Sequence, residues 1–217
     1  MTEQKQEQEY GFSDLSRYEL EWRIVYACIV AGKSAKFVRK VMDKLFVFRE
    51  QKTPLLFFDA MIQAGPLVLL ETLMQARTGN YDKLTRTIPG LTQRVLHEDL
   101  DLSTCTPQEL EEIHGIGPKT SRFFILWTRE GVRVAALDVH ILRWLKKQGY
   151  DVPKNTPQNG KRYREIEEIF LAEADKRGMS PRDLDYEIWA AGSGDKEFQP
   201  DERNGKQPQK KSKKGKK

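Results

Sequence analysis

Apolar residues recur three and four positions apart along most of the chain. The stretches run from Leu20 to Leu45, Leu67 to Met74, Leu110 to Ile113, Phe123 to Trp127, Ile141 to Leu145, Ile166 to Leu171 and Leu184 to Trp189. Such spacing gives each segment one apolar stripe along a helix and leaves that stripe in need of a covering partner. No alternation of apolar and polar residues runs long enough for a sheet. The pattern therefore predicts an all-α protein of about eight to ten helices at typical lengths, and the absence of an internal repeat argues against a solenoid.

Punctuation between the stripes agrees. Thr106-Pro107-Gln108-Glu109 offers an N-cap, a proline at the first helical position and a capping-box glutamate, and Ser180-Pro181-Arg182-Asp183 repeats the layout. Connections are expected at Gln51 to Pro54, Gly79-Asn80, Pro89-Gly90, His114 to Pro118, Arg129 to Val134 and Gly149 to Gly160.

Composition changes this picture in two places. With 217 residues the chain suffices for one ordinary domain, or for two small helical lobes sharing a cleft. The formal charge is +5, but residues 203–217 hold eight Lys or Arg and no acid, so at +5 less those eight, residues 1–202 are net −3. Three parts follow: a polar segment over 1–15, a helical domain over 16–198, and a basic tail over 199–217. The tail is expected to be disordered and to touch phosphates without sequence preference. Cys28 and Cys105 lack partners at metal-ligand spacing, which predicts a reducing compartment and neither metal nor cofactor. The longest apolar runs, Ile24 to Ala31 and Pro66 to Leu70, are too short for a membrane span, and the N-terminus is not signal-like. A soluble intracellular protein without membrane contact is expected, cytoplasmic or nucleoid-associated and monomeric.

Candidate chemistry is concentrated between Thr106 and Leu145. Two short helices, a hairpin over residues 106–129, are joined by His114-Gly115-Ile116-Gly117-Pro118. Gly115 and Gly117 are expected to take positive φ and to let the backbone approach a partner closely, while the second helix opens at Pro118-Lys119. Exposed amides and a positive helix end make an anion site suited to a nucleic acid phosphate. The backbone-binding set is Gly115, Ile116, Gly117, Lys119 and Thr120. A glycine turn alone is not specific. Lys119 just past the turn, and Asp138 nineteen residues on between apolar Leu137 and Val139, strengthen the reading toward DNA. Asp138 also stands where it would cap the helix of His140 to Leu145.

The run from His114 through Lys119 to Ser121, followed by Leu137-Asp138-Val139-His140-Ile141, resembles the helix-hairpin-helix and aspartate signature of base-excision DNA glycosylases. The stretch from Val25 to Phe37 is similar to the early helix of the archaeal-type 8-oxoguanine glycosylases, and Leu184 to Lys196 to their closing helix. The resemblance covers about three quarters of the chain, and its central signature is the specific part. It implies two helical lobes around a DNA-binding cleft, and double-stranded DNA with a modified base as partner. It also implies catalysis by Lys119, through attack on the sugar C1′, a Schiff base and β-elimination, and by Asp138 as the accompanying acid. A helix start would favour a neutral, nucleophilic Lys119. His140, Trp189 and Lys196 are the candidates for a base pocket or its support. Trp22, Trp127, Trp144 and Trp189 are the candidate faces for an extruded base, with core packing the commoner role for a tryptophan. The sequence departs from the family in having no four-cysteine iron–sulfur cluster, and in carrying Gly32 and Lys33 where many relatives place an amide or polar wedge. Three functions stay open: excision of an oxidised base such as 8-oxoguanine, with strand cleavage; phage-type modification of a base on the same scaffold; and DNA binding without chemistry. They differ in product.

Overall fold

A computed structural model describes residues 15–30, 32–45 and 57–193. These residues form helices and no strand: α1 (Arg17–Val30), α2 (Ala35–Leu45), α3 (Phe57–Ala76), α4 (Tyr81–His97), α5 (Pro107–Glu111), α6 (Pro118–Thr128), α7 (Val139–Lys147), α8 (Gly160–Arg177) and α9 (Pro181–Ser193). The expected connection at Gln51 to Pro54, Lys196, the basic tail and nearly all of the N-terminal segment lie outside the described residues.

Local chemistry sets the helix starts. At α5, Glu109 N–H donates to Thr106 Oγ1 at 3.3 Å and Thr106 N–H donates to Glu109 Oε2 at 2.7 Å, a complete capping box. At α9 Asp183 N–H donates to Ser180 Oγ at 3.1 Å, and the Ser180 hydroxyl donates to Asp183 Oδ2 at 2.7 Å. Asn159 Oδ1 accepts from Lys161 and Arg162 amides to start α8, which stops at Gly178, a left-handed residue at φ 64°.

The helices gather around two apolar cores. The first draws on α1 to α6, with Ile24, Met42, Leu73, Leu84, Ile88, Leu91 and Phe124 sealed from solvent. The second draws on α7 to α9 and the extended segment before α7, with Ala135, Leu137, Ile141, Leu145, Tyr163, Ile166 and Phe170 sealed likewise. Each such Leu, Ile or Phe contributes about 1.5–3 kcal/mol by leaving water. Glu21, fully buried, ties the start of α3 to α1 by accepting from Phe58 N–H at 3.1 Å and pairing with Arg17 at 2.9 Å.

Three expectations are corrected. Pro89-Gly90 is no connection: α4 runs through it, because buried Leu84, Ile88 and Leu91 anchor the helix on both sides while Pro89 faces solvent. Gly90 serves packing instead, since a Cβ there would lie 3.2 Å from Ile113 Cγ2. The apolar stretch from Leu20 to Leu45 is two helices, the second beginning after Gly32 at φ 73°. The short run Pro66 to Leu70 belongs to the 20-residue α3, which by length and composition is long and apolar enough to cross a membrane. α3 is kinked at Gly65 and buries Phe57, Phe58, Leu69 and Leu73, while Leu67 and Met74 are exposed.

Candidate active site

A cleft of about 1270 Å³ opens where the two lobes meet, lined by the α1–α2 turn, α4, the hairpin, α6, and the facing parts of α7 and α9. It exceeds the usual size of a small-molecule pocket.

The hairpin forms one wall. Gly115 takes φ 86° as expected, and a Cβ there would come within 2.2 Å of Thr87 Oγ1, so the turn is pressed against α4 and only glycine fits. Gly117 differs from expectation: at φ −102° and ψ 177° it is extended, as the N-cap of α6. A Cβ at Gly117 would meet nothing nearer than Gln158 Oε1 at 4.0 Å, so the fold itself does not demand glycine there. Among the described residues, the amides of Gly115, Gly117 and Lys119 make no hydrogen bond, and the proline at 118 has none to offer. Ile116 contributes only backbone to this surface, because its side chain sits in the first core. The Thr120 amide is engaged with Gly117 O at 2.9 Å and its side chain is buried at the cleft wall.

Lys119 and Asp138 come together in this cleft, both half-buried. Asp138 is the N-cap of α7: its Oδ1 accepts from His140 N–H at 2.8 Å and Ile141 N–H at 2.9 Å. The second oxygen, Oδ2, has no partner among the described residues and is left for the cleft. A third ionisable group stands beside them. Asp185, on the first turns of α9, is held up to about 8, chiefly because burial disfavours its charged form. Asp138's negative charge pushes it in the same direction, and Lys119's positive charge opposes both. The residue as a whole is half-buried, lining the cleft. Asp185 escaped the sequence reading, although it lies four residues before Trp189 and seven before Gly192, on the stripe of α9 that faces the cleft.

Aromatic rings form the floor. Tyr26, Phe123 and Trp127 line the cleft on the first lobe, with Trp127 5.0 Å from Tyr26 and 5.2 Å from Phe123 between ring centroids. Trp189 lines it from the second lobe. Trp22 packs behind Tyr26, and Trp144 lies elsewhere, against Phe170 and under Arg177. His140 also lines the cleft and packs so closely on α9 that a Cβ at Gly192 would be 2.5 Å from its Nδ1. At the mouth, Lys33 and Lys83 have no acidic partner among the described residues. The Lys33 ammonium is held below its ordinary range, first by burial and then by the charge of Lys83, while it donates to Ile29 O at 3.0 Å. Among the described residues no cluster of His, Cys, Asp or Glu could hold a metal, and Cys28 and Cys105 are buried apart.

No family model matches the chain. Three solved structures resemble it over most of its length. A Methanocaldococcus jannaschii 8-oxoguanine glycosylase/lyase in complex with a 15mer DNA containing 8-oxoguanine is 22% identical, covers 84% of both chains and gives a TM-score of 0.63. A second structure of the M. jannaschii 8-oxoguanine DNA glycosylase is also 22% identical, with a TM-score of 0.66 over 84% of this chain and 82% of that one. The 8-oxoguanine DNA glycosylase of Thermotoga maritima is 22% identical with a TM-score of 0.65, again over 84% of both chains. At that identity the likeness is one of architecture, and by it the chain has the two-lobed, all-helical helix-hairpin-helix fold of these glycosylases.

Proposed function

We propose that the protein is a DNA N-glycosylase with an associated strand-cleaving lyase activity, acting on duplex DNA that carries an oxidised base of the 8-oxoguanine kind. The observation that carries this reading is the meeting of Lys119 and Asp138 in one cleft, beside the unpaired amides of the hairpin. The hairpin amides hold a backbone phosphate, Lys33 and Lys83 add unpaired positive charge at the mouth, and the aromatic floor receives a base turned out of the duplex. The Lys119 amine, its proton given up to the medium, forms a bond to C1′ as the glycosidic bond breaks, and the base leaves with the electron pair and takes up a proton. Positive charge developing on the sugar is stabilised by the Asp138 carboxylate. Opening of the sugar gives a Schiff base on Lys119. Loss of a C2′ proton then expels the 3′ phosphate and cuts the strand. Asp185, which keeps its proton near neutrality, presents an O–H donor to the occupant of the cleft.

The test is borohydride trapping on duplexes carrying 8-oxoguanine, uracil, thymine glycol or an abasic site. A covalent adduct is expected with the wild-type protein and none with Lys119→Gln. An intact strand of altered mass would instead indicate base modification, and unchanged DNA that is still bound would indicate a binding protein.

A further inference from the structure

Asp138 sits at the end of an extended segment that belongs to no sheet, so something else must fix its position. The backbone hydrogen bonds of that segment answer the question. Ala135 N–H donates to Glu167 Oε1 at 2.8 Å, and Ala135 O accepts from Tyr163 Oη at 2.8 Å. Leu137 N–H donates to the same Tyr163 Oη at 2.9 Å, and Leu137 O accepts from Thr156 Oγ1 at 2.7 Å. Leu137 N–H also donates to Ala135 O at 3.1 Å, and beyond that bond three side chains from α8 and the loop before it reach every backbone group of these two residues, one of them the immediate neighbour of Asp138.

The same side chains are tied to the helix that carries Lys119. Arg122, one turn further along α6, is almost fully buried. Its Nε donates to Glu167 Oε1 at 2.8 Å and to Oε2 at 2.9 Å, its guanidinium lies 4.7 Å over the Tyr163 ring, and its Nη1 reaches Glu111 Oε1 at 2.5 Å and Pro118 O at 3.3 Å. A continuous buried path therefore runs from Pro118, beside Lys119, through Arg122 to Glu167 and Tyr163, and on to Leu137, beside Asp138. A dry network of charged and neutral hydrogen bonds is stiff when complete, because each unmade bond leaves a costly orphan group.

We propose that Arg122, Tyr163 and Glu167, assisted by Thr156, are positioning residues that set the separation of Lys119 and Asp138. This rests on the glycosylase reading above. Arg122, Tyr163 and Glu167 do not line the cleft, and Thr156, which does, spends its hydroxyl on Leu137 O. Their effect is exerted through the backbone of residues 135–137.

Tyr163→Phe is the direct test, since it keeps the ring under Arg122 and removes both hydrogen bonds of the hydroxyl, leaving Leu137 N–H and Ala135 O only each other at 3.1 Å. Single-turnover excision is expected to fall by roughly 10- to 100-fold, the scale on which an ångström of misplacement acts, while duplex affinity stays within about twofold. Thr156→Val should lower the rate as well and Thr156→Ser should restore it. That pair also decides the matter if Tyr163→Phe does not fold. An excision rate within about twofold of wild type in folded Tyr163→Phe would overturn the proposal. Should the wild-type protein excise no lesion, the glycosylase reading fails on its own, and NMR then tests the positioning alone. A moved Asp138 titration with faster His140 and Ile141 amide exchange in Tyr163→Phe supports it, and unmoved values refute it.

Discussion

The two lobes hold their halves of the cleft by different means. Lys119 rides the first turn of α6, whose inner face, through Phe124, Ile125 and Trp127, is sunk in a core of aliphatic and aromatic side chains. Asp138 rides an irregular segment secured by Tyr163, Glu167 and Thr156, with Arg122 closing the network. Apolar packing is graded, and swaps of similar volume change it little. Hydrogen bonding to an extended backbone is closer to all or nothing. The lysine side of the site should therefore absorb core substitutions that the aspartate side cannot.

The largest expected effect tests that contrast. Glu167→Ala takes the acceptor from Arg122 Nε and from the Ala135 N–H, leaving Glu111 as the one carboxylate on the buried guanidinium, and should cost about 3–5 kcal/mol in denaturant unfolding, with a further loss of excision rate per folded molecule. Leu91→Ala in the first core should cost about 2–5 kcal/mol by cavity formation, yet leave the rate per folded molecule unchanged. Equal kinetic losses in both variants would erase the distinction between the lobes.

Next in size is a comparison inside the hairpin. Gly115→Ala meets both a positive φ and Thr87 Oγ1 at 2.2 Å, and should destabilise the fold by roughly 2–3 kcal/mol. Gly117→Ala has room and ordinary extended backbone, so stability should hold while duplex affinity weakens across all sequences. Unaltered DNA binding by Gly117→Ala would remove the hairpin from the DNA interface.

The smallest effect concerns Asp185. Its folded-state proton affinity is raised to about 8, so between its ordinary value and 8 the folded protein holds a proton that the unfolded chain has lost. Stability therefore falls as pH rises through that window and levels off above it. Asp185→Asn should abolish this slope and raise Tm by on the order of 5 °C at pH 8, with no gain near pH 4. A Tm difference that does not change with pH would refute the assignment.

What the sequence made legible was local. The capping box at Thr106, the Ser180 and Asp138 caps and the glycine turn between α5 and α6 are governed by residues within a few positions of one another, and all stand where the pattern put them. Pairing Lys119 with Asp138 came from resemblance, and the cleft brings them together. What escaped depends on contacts across long stretches of chain. Arg122 meets Glu167 45 residues away, and Lys33 senses Lys83 across the first lobe. One trace of the network was present: Tyr163 and Glu167 share a stripe with Phe170 and Ala174, and a glutamate on an otherwise apolar stripe asks for a buried partner. Pro89 misled for the same reason in reverse, since tertiary burial of its neighbours outweighed its local preference.

The two cysteines have a practical consequence. Cys28 is sealed and its thiol pushed up to about 12, and Cys105 is buried with its thiol raised as well. Thiolate is the reactive form, so neither competes for an electrophile at neutral pH. A single cysteine introduced at exposed Gln158, on the cleft rim, would be the sole accessible thiol of the molecule. Native protein thus comes ready for site-directed disulfide capture of a thiol-bearing duplex, with no background to engineer away.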